Sequence, residues 1–91
     1  MTEISRPVNI INKLGMHARA AAKFVSTASA YGSHVEVERN GQRVNGKSIM
    51  GVMMLAAAKG TEIILHIKGD DAENCVSALE TLINNKFDEG E

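Results

Sequence analysis

The dipeptide Asn40-Gly41 constrains the fold of this chain more than any other feature. Before it, Val35 and Val37 alternate with His34, Glu36 and Glu38; after it comes Gln42 to Val44. Asn-Gly tolerates the left-handed backbone of a tight two-residue turn, so the stretches on either side are predicted to pair as an antiparallel hairpin. Two further alternations are present. In Met1 to Ile11, Ile4, Arg6, Val8 and Ile10 share one side, with Ser5, Pro7 and Asn9 on the other. In Thr61 to Lys68, Ile63, Leu65 and Ile67 face away from Glu62, Ile64, His66 and Lys68. Pro7 has no N–H to donate, which predicts an edge position for the first strand.

Helical patterns fill the intervals. From Ala18 to about Ala30 the chain is rich in alanine, and Ala18, Ala21, Ala22, Val25 and Ala28 form the predicted apolar stripe. Tyr31-Gly32 ends it. After the turn Asn45-Gly46-Lys47, Ser48 is predicted to cap a helix from Ile49 to about Ala58, ended by Lys59-Gly60. Asp70 or Asp71 is predicted to cap a last helix, in which Ala72, Cys75, Val76, Leu79, Leu82 and Ile83 recur at helical spacing. The tail from Asn84 to Glu91 turns polar and acidic and is expected to fray. The predicted order is β-α-β-β-α-β-α, an α+β fold with an antiparallel four-stranded sheet and helices packed on one face.

Several function classes fall away on totals alone. Ninety-one residues make one expected domain, 1–91, with a site on its surface rather than in a deep cavity. No apolar run approaches the ~20 residues of a membrane span, and the N-terminus lacks the pattern of a secretory signal, so a cytoplasmic protein without membrane insertion is expected. The single Cys75 agrees with a reducing compartment. A net charge of −1 offers nucleic acid no general attraction. His34, His66 and Cys75 form no ligand cluster, so neither a metal nor a cofactor is expected.

Chemistry concentrates in Asn12-Lys13-Leu14-Gly15-Met16-His17-Ala18-Arg19, a polar turn that runs into a helix. The free N–H groups and positive dipole end of a helix start favour negative charge. A neutral imidazole can attack phosphorus and later release the group, and the guanidinium of Arg19 can make two parallel hydrogen bonds to a phosphoryl group. Ser48 is an ordinary N-cap, and also a hydroxyl open to modification. In the helix after it, Ile49, Met50, Val52, Met53, Met54 and Leu55 carry apolar side chains most of the way round, more than one buried face requires. The surplus, with adaptable methionine in it, predicts a docking patch that includes Ile49, Met50 and Met53. Gly46-Lys47-Ser48 lacks the upstream glycine of a nucleotide-binding loop. A hydrolase would need an acid or base and a substrate pocket, and the sequence offers neither.

The runs Lys13-Leu14-Gly15-Met16-His17-Ala18-Arg19 and Asn45-Gly46-Lys47-Ser48-Ile49-Met50-Gly51-Val52-Met53 resemble the two signatures of the HPr family, the histidine-containing phosphocarriers of the bacterial phosphoenolpyruvate-dependent sugar phosphotransferase system. The resemblance covers nearly the whole chain. It implies the open-faced β-sandwich and its strand pairing, and a phosphoryl relay, not an enzyme: enzyme I would phosphorylate His17, and sugar-specific A components would receive the group. It gives His17 the role of phosphoryl acceptor, through the ring nitrogen nearer the backbone, and Arg19 that of steadying the group. It gives Ser48 a regulatory role, through an HPr serine kinase/phosphorylase. It implies partner contacts at Ile49, Met50 and Met53, and a monomer. The run Lys47 to Gly51 looks more like the sugar branch than the nitrogen-linked branch. Ala20 stands where many of the family carry proline. The competing reading is a regulatory binding module controlled at Ser48, with the sugar relay secondary.

Overall fold

A computed structural model describes residues 1–91. The predicted hairpin is present: β2 (His34–Arg39) returns as β3 (Gln42–Asn45), with Arg39 paired to Gln42. Asn40 and Gly41 take φ of 52° and 81°, the left-handed pair that a two-residue turn between twisted strands requires. The other strands are β1 (Thr2–Asn9) and β4 (Glu62–Gly69), and the antiparallel sheet runs β1-β4-β2-β3. Pro7 therefore lies on an edge strand, as its missing donor predicts.

Helices α1 (Ala18–Ser29), α2 (Ile49–Met54) and α3 (Ala72–Asn84) complete the order β-α-β-β-α-β-α. Val8, Val35, Val37, Ile63, Leu65 and Ile67 point from the sheet into the core beneath the helices. On this side Arg6 reaches α3 and pairs with Glu80 at 2.5 Å. The opposite face is polar. There Glu36 meets Arg43 at 3.0 Å, and His66 donates through Nε2 to Glu38 at 2.7 Å, leaving Nδ1 to accept from Ser5 Oγ at 2.9 Å.

Four local expectations are corrected. The buried face of α1 is Ala20, Ala21, Phe24 and Ala28; Ala18 and Ala22 are exposed and Val25 lies at the margin. Phe24 sets the rotation, because burying an aromatic ring outweighs burying alanine methyl groups. Next, α2 stops at Met54 rather than near Ala58. Ala56 turns left-handed at φ 50°, and Arg39 Nη1 from β2 donates to the Leu55 carbonyl at 2.8 Å.

Third, Asp71 occupies the N-cap position of α3 without capping it. Its carboxylate instead accepts from the amides of Gly32 and Ser33, at 2.9 and 3.0 Å, and from Ser33 Oγ. The Ser33 hydroxyl first, and then the Gly32 amide, hold this carboxyl below its ordinary value of 3.8. A depressed folded-state pKa contributes stability above the ordinary value, which is lost as pH falls through the folded value. Urea unfolding between pH 2 and pH 6 is therefore expected to show a shallower acid loss in Asp71→Asn than in wild type, and equal slopes would refute the assignment.

Last, the tail does not fray. A 3-10 turn over Lys86–Asp88 folds back, and Phe87 is wholly buried in the core.

Candidate functional site

Backbone geometry around His17 is set by its neighbours in sequence. Gly15 sits at φ 67°, and a Cβ there would lie 2.5 Å from the Ala57 carbonyl oxygen, so both conformation and space require glycine. The close approach lets the Met16 amide donate to that carbonyl at 2.8 Å. Ala57 is free to accept because α2 has already ended. The loop before α1 is thus tied to the segment after α2.

His17 is the N-cap of α1, with extended backbone (φ −76°, ψ 179°), and its carbonyl accepts from the Ala21 amide at 2.8 Å. Its side chain makes no capping bond and is 29% exposed. The ring therefore stands at the helix start without consuming any of the free N–H groups there. Arg19 lies on the exposed side of the first turn and makes no hydrogen bond or ion pair with another residue, so its guanidinium is available to an oxyanion. Ala20, by contrast, is fully buried on the core side.

An open depression next to the ring is lined by Lys13, Arg19 and Lys23 together with Asp88, Glu89 and Glu91. The carboxylates come from the tail, which sequence reasoning did not connect with this site. Glu89 is hydrogen-bonded to His17 Nε2, and its other oxygen accepts from Asn12 Nδ2 at 2.9 Å. Burial pushes the Glu89 carboxyl up, but the hydrogen bonds from Asn12 and His17, with the charges of His17 and Arg19, outweigh this and hold it below the ordinary carboxylate range. Asn12 is wholly buried and also donates to the Gly15 carbonyl at 2.8 Å. Sequence reasoning read it only as a turn residue.

Ser48 is the N-cap of α2, as predicted: its Oγ accepts from the Gly51 amide at 3.0 Å. In α2, Val52 is buried while Met50 is 73% exposed and Met54 67%; Ile49 and Met53 are also exposed, as is Leu14 beside the His17 loop. Helices α1 and α2 are in contact, and the bond from Met16 to Ala57 brings the loop before His17 to the segment that follows α2. No group of three His, Cys, Asp or Glu side chains is arranged to hold a metal ion, and no helix is long and apolar enough to cross a membrane.

Residues 4–85 match the protein family described as the PTS HPr component phosphorylation site. The phosphocarrier protein HPr of Pseudomonas aeruginosa is 59% identical over 85 residues, covering 92% of this chain and 94% of that protein. Among solved structures, HPr from Thermoanaerobacter tengcongensis superposes with a TM-score of 0.88 at 46% identity, covering 98% of each chain. HPr from Bacillus anthracis gives 0.86 at 36% identity, covering 91% of this chain and 99% of that one. These similarities include the strand order and the three helices.

Proposed function

This chain belongs to the HPr family and is a phosphocarrier of the phosphotransferase system, and on that premise we propose that it holds the phosphoryl group on His17, as a transient phosphohistidine between phosphorylated enzyme I and the sugar-specific A components. The observation that carries the reading is a partly exposed imidazole at the N-terminus of α1, with the unpaired guanidinium of Arg19 two residues on. An incoming phosphoryl group meets free N–H donors, the positive end of the helix and a fork of guanidinium N–H groups. The charge developing on its oxygens is thereby offset without a metal ion. The chain supplies a relay point and not a complete active site, since the partner proteins bring the donor and acceptor groups.

The same reading makes Ile49, Met50 and Met53 the docking surface. Their support is exposure: apolar side chains left in water on a short helix that packs against the helix begun by His17. Ser48 at the head of that helix is the regulatory position. A phosphate there would add close to two negative charges inside the patch and repel a partner carrying a phosphoryl group. The protein is read as a cytoplasmic monomer whose residues 1–91 act as one domain. A module governed at Ser48, with the relay secondary, uses the same patch and is the second reading.

Incubation with phosphoenolpyruvate and enzyme I from the same source tests the proposal. Acid-labile, alkali-stable label on wild type, retained in Ser48→Ala, is the expected result. An active enzyme I that leaves wild type unlabelled would sink the relay and leave the module.

A further inference from the structure

The tail supplies a group to the His17 ring from 72 residues away. From this juxtaposition we infer that Glu89, itself held by Asn12, is a positioning residue that keeps the proton of the neutral His17 ring on Nε2 and offsets the positive charge the ring acquires during transfer. The inference rests on the reading of His17 as phosphoryl acceptor and adds to it a residue that neither sequence motif contains.

The contacts are specific. An ionised carboxylate only accepts hydrogen bonds, so the bond between Glu89 and His17 requires a proton on Nε2. The neutral ring then has its lone pair on Nδ1, the nitrogen nearer the backbone. The second carboxylate oxygen is fixed by Asn12, a wholly buried side chain that also holds the turn before His17. Glu89 is better shielded than its partner, 11% exposed against 29% for His17. The tail that carries it is anchored three times: by the buried Phe87 ring, by Lys23 Nζ donating to the Phe87 carbonyl at 2.8 Å, and by the Lys13 amide donating to the Glu91 carbonyl at 2.7 Å. So short a tail, fixed on both sides of Glu89, presents its carboxylate as a built part of the site.

The charge balance shows what Glu89 does. As the Nδ1–P bond forms, the bond from phosphorus to the donor's leaving atom breaks, and that atom takes the electron pair. Nε2 keeps its proton, so the ring becomes an imidazolium bearing a phosphoryl group. Glu89 faces the protonated nitrogen and Arg19 lies in the first turn of the helix, so each charge that develops has a counter-charge. Passing the group on reverses these changes: the Nδ1–P electron pair returns to the ring, which is neutral again with Nε2 still protonated. This is the task of the carboxylate behind a catalytic histidine in acyl transfer, here supplied by a C-terminal strap.

Glu89→Gln separates positioning from structure, since it keeps side-chain length and hydrogen-bonding capacity and removes only the charge. In wild type above the pH at which the ring is neutral, imidazole 15N spectra are expected to show a proton on Nε2 and none on Nδ1. In transfer from phosphorylated enzyme I, Glu89→Gln is expected to lower kcat about tenfold, the loss of one charge-assisted hydrogen bond at an incompletely buried site, with KM unchanged. A proton on Nδ1 in wild type, an unchanged kcat, or a change confined to KM would each overturn the inference while labelling of His17 stands. Wild type that takes no label from an active enzyme I overturns both, because the positioning role then has no reaction to serve.

Discussion

Replacing His17 with alanine is expected to reduce phosphoryl acceptance from enzyme I to background while the fold survives. The other two histidines cannot take over. His66 is engaged at both ring nitrogens by Ser5 and Glu38, and His34 pairs with Glu36 at 3.3 Å and shares its depression with Asp70 and Asp71, whose carboxylates repel an incoming phosphoryl group. A partly exposed histidine with an unpaired guanidinium two residues on occurs at the start of α1. Stability should change little, because the His17 side chain makes no cap bond and contributes mainly its contact with Glu89, worth about 1 kcal/mol for a partly solvated pair. Arg19→Ala grades the same experiment. It leaves the nucleophile in place and removes the guanidinium, so transfer should slow about tenfold or more without reaching background. Labelling kinetics on the three proteins, with a urea midpoint for each, check the set. A labelled His17→Ala protein would place the acceptor elsewhere.

The parts of this molecule that were legible in the sequence are those decided by near neighbours. Asn40-Gly41 and the two alternations around it specify a hairpin through backbone preferences that need no distant partner. Ser48 caps α2 because the donor it satisfies is three residues away. His17 and Arg19 stand at the start of one helix, so their proximity was readable from eight residues. The features that escaped were decided across the fold. Phe24 outcompeted a stripe of small residues for the core side of α1, and periodicity alone weighs positions rather than the size of what is buried. The end of α2 depends on Arg39 from β2 and on the approach of the loop before α1 to Ala57. Asp71 ignored its own helix in favour of the turn at Ser33. Glu89 stands in an acidic run that reads as solvated, and nothing local marks it as a partner of His17.

One signal in the tail was available: a phenylalanine among polar residues, in a chain with only two. Phe87→Ala is expected to cost about 3–4 kcal/mol, the range for removing a fully buried aromatic ring without complete collapse of the space it leaves. More than packing depends on it. Lys86, Phe87 and Asp88 all have positive φ, of 56°, 53° and 63°, and each non-glycine residue in that region costs about 1 kcal/mol or more. The turn is sustained by the buried ring, by Lys23 on the Phe87 carbonyl, and by Asn85 Nδ2 donating to Asp88 Oδ1 at 2.5 Å. With the ring gone, the remaining hydrogen bonds are exposed to water and must offset the left-handed backbone by themselves, so the segment should release locally before the sheet unfolds. Amide exchange at Glu89 should then quicken and the Asn12 and His17 contacts with Glu89 should be lost, while β2 and β4 amides weaken only by the global loss of stability. A urea midpoint within error of wild type, or tail amides that remain as protected as in wild type, would mean that the polar contacts alone dock the tail and that Phe87 is not its anchor.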